Sequence, residues 1–258
     1  MFILNANRKL FKLTFSKNSL IIMEIKLTKR PKSPIIISGF PGFGMVGTIA
    51  TEFLIEHLKT ENIGRVIFED MPALVALHGG KVVEPFGIFY SKQYNLIIVH
   101  SIGGSPGSEW KLSAVLLQIA KELGAREIIS LEGIGSADES TTSRAFFYAS
   151  QPEKARQLEK LDIEPLKEGI IMGVTSALLL KRENLPVSCI FAETHSKMPD
   201  SKAAAKVIET LDGYLGLKVD TKPLLKMAQQ FEAKLKGLIA QTMAAKKDKE
   251  KKSPDYFG

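Results

Sequence analysis

Glycines at a fixed spacing are the first feature of this sequence with chemical meaning. After the apolar run 34–37, glycines stand at positions 39, 42, 44 and 47, and the last three spell G-x-G-x-x-G before a helical pattern. In dinucleotide-binding folds such a turn brings the backbone close to a pyrophosphate at the helix N-terminus. Gly42, Gly44 and Gly47, with Asp70 ending the next strand as a ribose ligand, therefore form a candidate cofactor-binding site.

Two features of the same turn favour a structural role. Gly39, Phe40 and Pro41 separate the strand from the motif, whereas the first glycine of a dinucleotide turn follows its strand directly. The rings of Phe40 and Phe43 also add bulk where a cofactor would approach. Because a lone glycine motif is a weak signal, we favour a tight strand-to-helix turn packed by aromatic rings. The alternative function is a nucleotide- or nucleoside-binding enzyme that uses the glycine-rich loops at the strand carboxyl ends.

The remaining motifs do not complete a catalytic set. Segment 103–107 reads G-x-S-x-G, but the residue whose N–H would serve the oxyanion is Pro106, which has none. The "GGK" at 79–81 lacks the upstream glycine and the following Ser or Thr of a phosphate loop. The single cysteine, Cys189, excludes a cysteine-based zinc site. No metal-ligand spacing links the four histidines, His57, His78, His100 and His195. We expect a binding protein without catalytic residues, metal or cofactor.

Short apolar runs alternate with helical patterns and predict the elements that position these residues. The predicted strands are 34–38, 64–69, 94–99, 126–131, 144–149 and 187–192, with a hairpin from 81–84 and 86–90. The predicted helices are 45–59, about 108–123 and about 200–215, and 169–181 resembles a short strand turning into a helix. Strands separated by helices indicate an α/β fold with a parallel-rich sheet flanked by helices. Glycine-rich loops after four of these strands line the usual ligand crevice of such a fold.

The pattern changes at residue 221 to one long helix. An apolar seam with heptad-like spacing runs along it, formed by Leu224, Ala228, Phe231, Leu235, Leu238 and Thr242. Such a stripe packs either on its own domain or on a second copy of the chain. We expect an α/β domain at 24–220, the helix at 221–245 and a flexible tail with an aromatic terminus at 246–258. We interpret residues 1–23 as a poorly ordered extension or the product of an upstream start codon.

The net charge of +7 is concentrated at the chain ends. Residues 1–33 carry +7 and residues 246–258 carry +2, which leaves −2 for residues 34–245. A domain that grips a phosphate backbone carries its basic stripe on folded elements, so we set nucleic acid aside as a partner. No stretch approaches the roughly 20 apolar residues of a membrane span. One cysteine in 258 residues fits a reducing, cytoplasmic setting.

Four segments carry a resemblance to a known family. They read "IIISGFPGFGMVGTIATEFLIE", "GSEWKL", "LEGIGS" and "AETHSKMPDSKAAAKVIETLDGYLGLKVDTKPLL", and in this order the chain resembles the archaeal branch of the proteasome assembly chaperone family. The resemblance covers roughly 24 to 245. It implies a nucleoside-phosphorylase-like α/β fold and an ATP-independent homo-oligomer. It also implies docking on the α subunits of the proteasome core particle.

The chain terminus departs from the tail found in some members of that family. Their last three residues are a hydrophobic residue, a tyrosine and any residue, whereas this chain ends in Tyr256, Phe257 and Gly258. Phe257 lacks the hydroxyl of the tyrosine that it would replace. An aromatic pair with a terminal carboxylate after a lysine-rich tether has the form of a C-terminal plug, whose rings enter an apolar cleft. We expect these three residues to dock on the proteasome.

Overall fold

The computed structural model describes residues 13–14, 20–21, 23–69, 75–78, 80–103, 107–135, 144–161, 163–194 and 198–226. Its strands are β1 (Leu13–Thr14), β2 (Leu20–Ile21), β3 (Met23–Leu27), β4 (Ile35–Gly39), β5 (Glu61–Phe68), β6 (Ala76–His78), β7 (Lys81–Val83), β8 (Phe86–Ser91), β9 (Leu96–Ser101), β10 (Glu127–Gly135), β11 (Ala145–Ala149), β12 (Glu164–Pro165) and β13 (Val187–Thr194). Its helices are α1 (Val46–His57), α2 (Glu109–Leu123), α3 (Pro152–Glu159), α4 (Gly173–Lys181) and α5 (Ser201–Leu215), with a 3-10 turn at Phe43–Met45.

Nine of these strands form one sheet in the order β12-β11-β13-β10-β4-β9-β8-β5-β3. The four central strands β13, β10, β4 and β9 run parallel. The outer pairs are antiparallel, except for the short parallel pair β11–β12. The prediction of a parallel-rich sheet is therefore right for the centre and wrong for the edges. The four residues between β8 and β9 are too few for a crossover, so these strands can only pair antiparallel.

Helices cover both faces of the sheet. Side chains alternate along β4, so Ile37 faces one core and Ile36 the other. In the first core, side chains of α1, including Val46 and Ile49, and of α5 pack on the sheet. In the second core, side chains of α2 and α4 pack on the other face of the sheet. The central strands are mainly apolar on both sides, as expected for a sheet enclosed by two helical layers. The described fold is thus a mixed α/β sandwich of three layers.

Two local predictions are wrong. Segment 81–83 pairs with 76–78, while 86–91 joins the large sheet, so 81–84 and 86–90 do not form a hairpin. Residues 169–172 lead into α4 without forming a strand. The chain reaches α4 at Gly173, whose positive φ of 78° turns the backbone into the helix.

Much of the predicted C-terminal part lies outside the described residues. Residues 222–226 are helical, and Leu224, the first residue of the predicted seam, is fully buried in the core of α1 and α5. At this position the seam packs on its own domain. The rest of the predicted helix 221–245, the tail 246–258 and most of the extension 1–23 stay predictions. Within the described part of the chain, no helix combines the length and apolar character needed to cross a bilayer.

Candidate functional site

The glycine turn between β4 and α1 is filled by the protein's own atoms. A Cβ atom at Gly47 would lie 2.3 Å from the carbonyl oxygen of Leu131 in β10, and one at Gly39 would lie 2.1 Å from the carbonyl oxygen of Gly47. Gly44 has a φ of +60°, and a Cβ there would lie 2.7 Å from the hydroxyl oxygen of Thr194. Gly39, Gly44 and Gly47 therefore let α1 pack directly on the sheet, where no larger residue fits.

The start of α5 fixes the same turn from the other side. The backbone N–H of Asp200 donates to the carbonyl of Gly44 at 2.8 Å, and the Thr194 hydroxyl donates to the Asp200 carboxylate at 2.9 Å. The second oxygen of that carboxylate caps α5 by accepting from the N–H groups of Lys202 and Ala203. The turn is thus held rigidly by two helices and the central sheet.

Gly42 differs from the other glycines of the motif. Its φ of −153° is extended backbone that any residue adopts, and a Cβ there would make only ordinary contacts, the nearest at 3.5 Å from Glu132 Oε1. Gly42 therefore lies beside Glu132 with room for a larger residue. The structure thus separates Gly42, which lines a cavity, from Gly44 and Gly47, which pack against protein. Asp70, the predicted ribose ligand, lies outside the described residues.

The cavity next to Gly42 lies at the carboxyl ends of β4 and β10, in the crevice predicted from the glycine-rich loops. It has a volume of about 360 Å³ and opens to solvent. Three segments line it, namely the turn 40–43, the middle of β10 at 130–132 and the start of α4 at 172–175. The walls are mainly apolar, with Phe40, Phe43 and Met172 around them.

Glu132 is the acidic side chain that lines this cavity. Its Oε2 atom is enclosed, and no described residue forms a hydrogen bond with it. Burial raises the pKa of the carboxyl to about 7, and a hydrogen bond from the Thr175 side chain lowers it by a smaller amount. The Thr175 hydroxyl also lies 2.8 Å from the hydroxyl of Ser130, one layer deeper on β10. The site therefore holds an acid that changes protonation near neutral pH.

Helix α4 begins at the wall of the cavity with no side chain capping its N-terminus. Gly173 is its first residue, and a Cβ there would lie 3.8 Å from Glu132 Oε1. Free N–H groups in a first helical turn favour an anion. The helix start therefore favours the charged form of Glu132, although the effect of burial is larger.

Sequence reasoning missed Glu132 and Thr175. Glu132 was placed in the glycine-rich loop "EGIGS", whereas β10 continues to Gly135 because it pairs with β13 as far as Thr194. Thr175 lies 45 residues from its partner Ser130, so no local motif connects them. An acid between a buried apolar run and a glycine was the only signal in the sequence that could have drawn attention to this position.

The described histidines that the sequence analysis considered lie apart from the cavity. The Nδ1 atom of buried His100 lies 2.8 Å from the Thr51 hydroxyl oxygen, and its Nε2 atom lies 3.0 Å from a carboxylate oxygen of Glu52. His57 stacks on Phe53 at the end of α1. The described residues include no cluster of histidine, cysteine and acidic groups that could hold a metal. Pro106, His195 and the tail residues Tyr256, Phe257 and Gly258 lie outside the described part.

A second buried acid, Glu127, lies at the opposite end of β10. It accepts hydrogen bonds from the hydroxyl of Ser188 at 2.5 Å and from that of Tyr214 at 3.1 Å. Lys154 of α3 pairs with its other oxygen at 2.7 Å. Burial and the nearby Glu127 charge raise the pKa of Tyr214, which keeps its hydroxyl protonated as a donor. This network joins α3, α5 and two strands and has its polar groups satisfied within the protein.

Known proteins share the architecture of this chain. A model of the PAC2 family matches residues 36–239. The structure of Pyrococcus furiosus PbaA, an archaeal homolog of proteasome-assembly chaperone, matches with a TM-score of 0.79 and 30% identity over 87% of this chain and 99% of that one. Pyrococcus furiosus PbaB, an archaeal proteasome activator, matches in fold with a TM-score of 0.70 and 24% identity over 84% and 98% of the two chains.

A relative found by sequence comparison spans the same region. An uncharacterised protein of Methanocaldococcus jannaschii is 26% identical over 228 residues, which cover 88% of this chain and 94% of the relative. The likeness therefore extends over the whole described domain and is not confined to the glycine turn. Because the family model covers residues 36–239 and the match to PbaA includes nearly all of that chain, this protein belongs to the PAC2 family.

Proposed function

We propose that this protein binds the α-ring of the proteasome core particle without ATP, as an assembly chaperone or an activator. The observation that carries the proposal is the likeness to PbaA, which is a homolog of proteasome-assembly chaperone. The match includes 99% of the PbaA chain at 30% identity, so it extends beyond a shared core motif. Family membership over residues 36–239 supports the same reading.

The glycine turn supports a binding role over a catalytic one. In a dinucleotide turn the second glycine leaves its backbone open to the pyrophosphate, whereas a Cβ at Gly44, the second glycine here, would lie 2.7 Å from the Thr194 hydroxyl oxygen. These glycines are needed to pack α1 on the sheet. The motif that first suggested an enzyme therefore has a sufficient structural reason to be present.

The second part of the proposal is that the chain forms a homo-oligomer. Leu224 is buried in its own domain, but its neighbour Leu225 is 45% exposed, and the predicted seam continues beyond the described residues. Several copies would present several tails to a ring with repeated sites, which raises avidity without new contacts. Light scattering at micromolar concentration tests this point, and a monomeric mass would contradict it.

The third part assigns docking to the tail. Tyr256 and Phe257 are two aromatic rings at the end of a hydrophilic tether, where free solvent offers them nothing to bury. In a cleft between α subunits they would bury apolar area, while the terminal carboxylate of Gly258 would meet a lysine or backbone donors. Pro254 restricts the chain just before these residues and lowers the entropy lost on docking.

Two tail variants test this assignment against purified α-rings. Deleting residues 256–258 removes the rings, and extending the chain past Gly258 moves the carboxylate while keeping them. We expect both variants to bind roughly tenfold or more weakly, because truncating central aromatic anchors has effects of this size. Phe257→Tyr restores the hydroxyl and should bind at least as tightly as the parent.

Lys252→Ala serves as the control, since it changes the tether and leaves the terminal residues intact. Circular dichroism of all four variants should show an unchanged fold. If the deletion and the extension bind α-rings as tightly as the parent, the tail does not dock.

A further inference from the structure

The cavity beside Gly42 has the features of a small-molecule site. We propose that it binds a small organic cation, whose amidine, guanidine or amine group pairs with Glu132 and whose apolar or aromatic body lies between Phe40, Phe43 and Met172. This site is independent of proteasome docking and goes beyond the function proposed above. Three observations carry the proposal: the size and lining of the cavity, a buried acid with no cationic partner among the described residues, and the missing side chain at Gly42.

The cavity has the dimensions and composition of a ligand site. Its volume of about 360 Å³ falls within the roughly 300–1,000 Å³ usual for small-ligand pockets. Apolar side chains form most of its walls, while its polar groups are few and lie together in the middle of β10 and the start of α4. Such a division suits a ligand with an apolar body and one polar end.

Glu132 is the polar group that a ligand in this cavity would pair with. Its enclosed Oε2 has no hydrogen-bond partner among the described residues, and a buried acceptor without a partner costs about 1–3 kcal/mol. Burial raises the pKa of the carboxyl to about 7, and no positively charged side chain contributes to the shift. Within the described part of the chain, the charge of this carboxylate is therefore offset by the Thr175 hydroxyl and the start of α4 but by no cationic side chain.

A cationic nitrogen compensates this charge better than other ligand groups do. An amidine, guanidine or amine can donate to Oε1, the carboxylate oxygen nearest to Gly42 and Gly173, in a charge-assisted hydrogen bond that is roughly twice as strong as a neutral one. The rings of Phe40 and Phe43 line the same cavity and attract a cation over their faces. The phosphates of a nucleotide would instead place negative charge beside Glu132, so an anionic ligand is disfavoured.

Gly42 keeps the entrance beside the acid open. Its backbone is extended and its absent Cβ would make no close contact, so neither conformation nor packing requires glycine there. A larger side chain at this position would project toward Glu132 and occupy the cavity. Gly42→Leu is therefore a way to block the site without removing the acid.

Calorimetry with benzamidine tests the proposal, with neutral benzamide and anionic benzoate as matched probes. We expect saturable binding of benzamidine above pH 7 and none of benzoate. The pairing needs the deprotonated acid, so the affinity should fall by up to about tenfold per pH unit below about 7. Glu132→Gln and Gly42→Leu should each weaken binding at least tenfold, whereas Glu56→Gln, on the exposed surface of α1, should leave it unchanged.

Several results would overturn the proposal. Benzamidine is titrated up to about 10 mM, a range that covers even weak fragment binding, and absence of saturation there contradicts the site. Equal affinity for benzamide would show that the positive charge is irrelevant. Unchanged binding by Glu132→Gln would place the ligand elsewhere. Thermal unfolding of both cavity variants checks that they remain folded, so that a loss of binding comes from the site. The binding assay contains no proteasome, so its outcome is separate from the docking proposal.

Discussion

Replacing Glu132 with glutamine should change how the stability of the fold depends on pH. Burial raises the pKa of this carboxyl from 4.5 to about 7. Between these two values the folded protein retains a proton that the unfolded chain has released. The free energy of unfolding contributed by this group therefore falls as pH rises from about 4.5 to about 7, and it stays constant above that. At about 1.36 kcal/mol per pKa unit, the loss is about 3 kcal/mol.

Glutamine has nearly the same shape and does not ionise. Glu132→Gln should therefore unfold with a free energy up to about 3 kcal/mol higher than the parent above pH 7, and the two should differ little below about pH 4.5. Urea unfolding across this range measures both curves, and subtracting them removes the contribution of every other titrating group. Glu56→Gln, on the exposed surface of α1, is the control, and its free energy of unfolding should depend on pH in the same way as that of the parent. The reasoning would be refuted if the difference in free energy of unfolding between the parent and Glu132→Gln did not change with pH.

Two further predictions concern the packing of the fold. Gly47→Ala should lower the free energy of unfolding by roughly 1–3 kcal/mol or more, because its Cβ would lie 2.3 Å from a strand carbonyl. Gly42→Ala, whose Cβ makes only ordinary contacts, should stay within about 0.5 kcal/mol in the same urea titration. Glu127→Ala should cost about 3–5 kcal/mol because it leaves Lys154 without its partner. Glu61→Ala, which breaks an exposed pair, should cost less than about 1 kcal/mol, and equal losses in the two variants would contradict the buried network.

The central elements could be predicted from local sequence because they are long and continuously apolar. Strands β4, β9, β10 and β13 and helices α1, α2 and α5 all begin within two residues of their predicted starts. A strand enclosed on both faces has an apolar run that is recognisable without its neighbours. The direction and order of the strands depend on pairing between distant segments, and for that reason the antiparallel edges were not foreseen.

In the candidate site, too, the sequence motif could be recognised locally, whereas its role depends on residues that are distant along the chain. The turn at Gly42, Gly44 and Gly47 was visible as a motif, but its use depends on contacts with Leu131 and Thr194, which lie far along the chain. Glu132 became part of the site because pairing with β13 lengthens β10 past its predicted end at 131. Burial and the shift in its pKa are properties of this tertiary arrangement. No local pattern of residues could supply them.

The central claim is that this chain binds the proteasome α-ring, and native mass spectrometry tests it most directly. The intact protein would be mixed at micromolar concentration with purified archaeal α-rings in the absence of ATP. The account predicts a complex that contains several copies of this chain and one α-ring, and that is lost when residues 256–258 are deleted. Spectra that contain only free protein and free α-rings would contradict it.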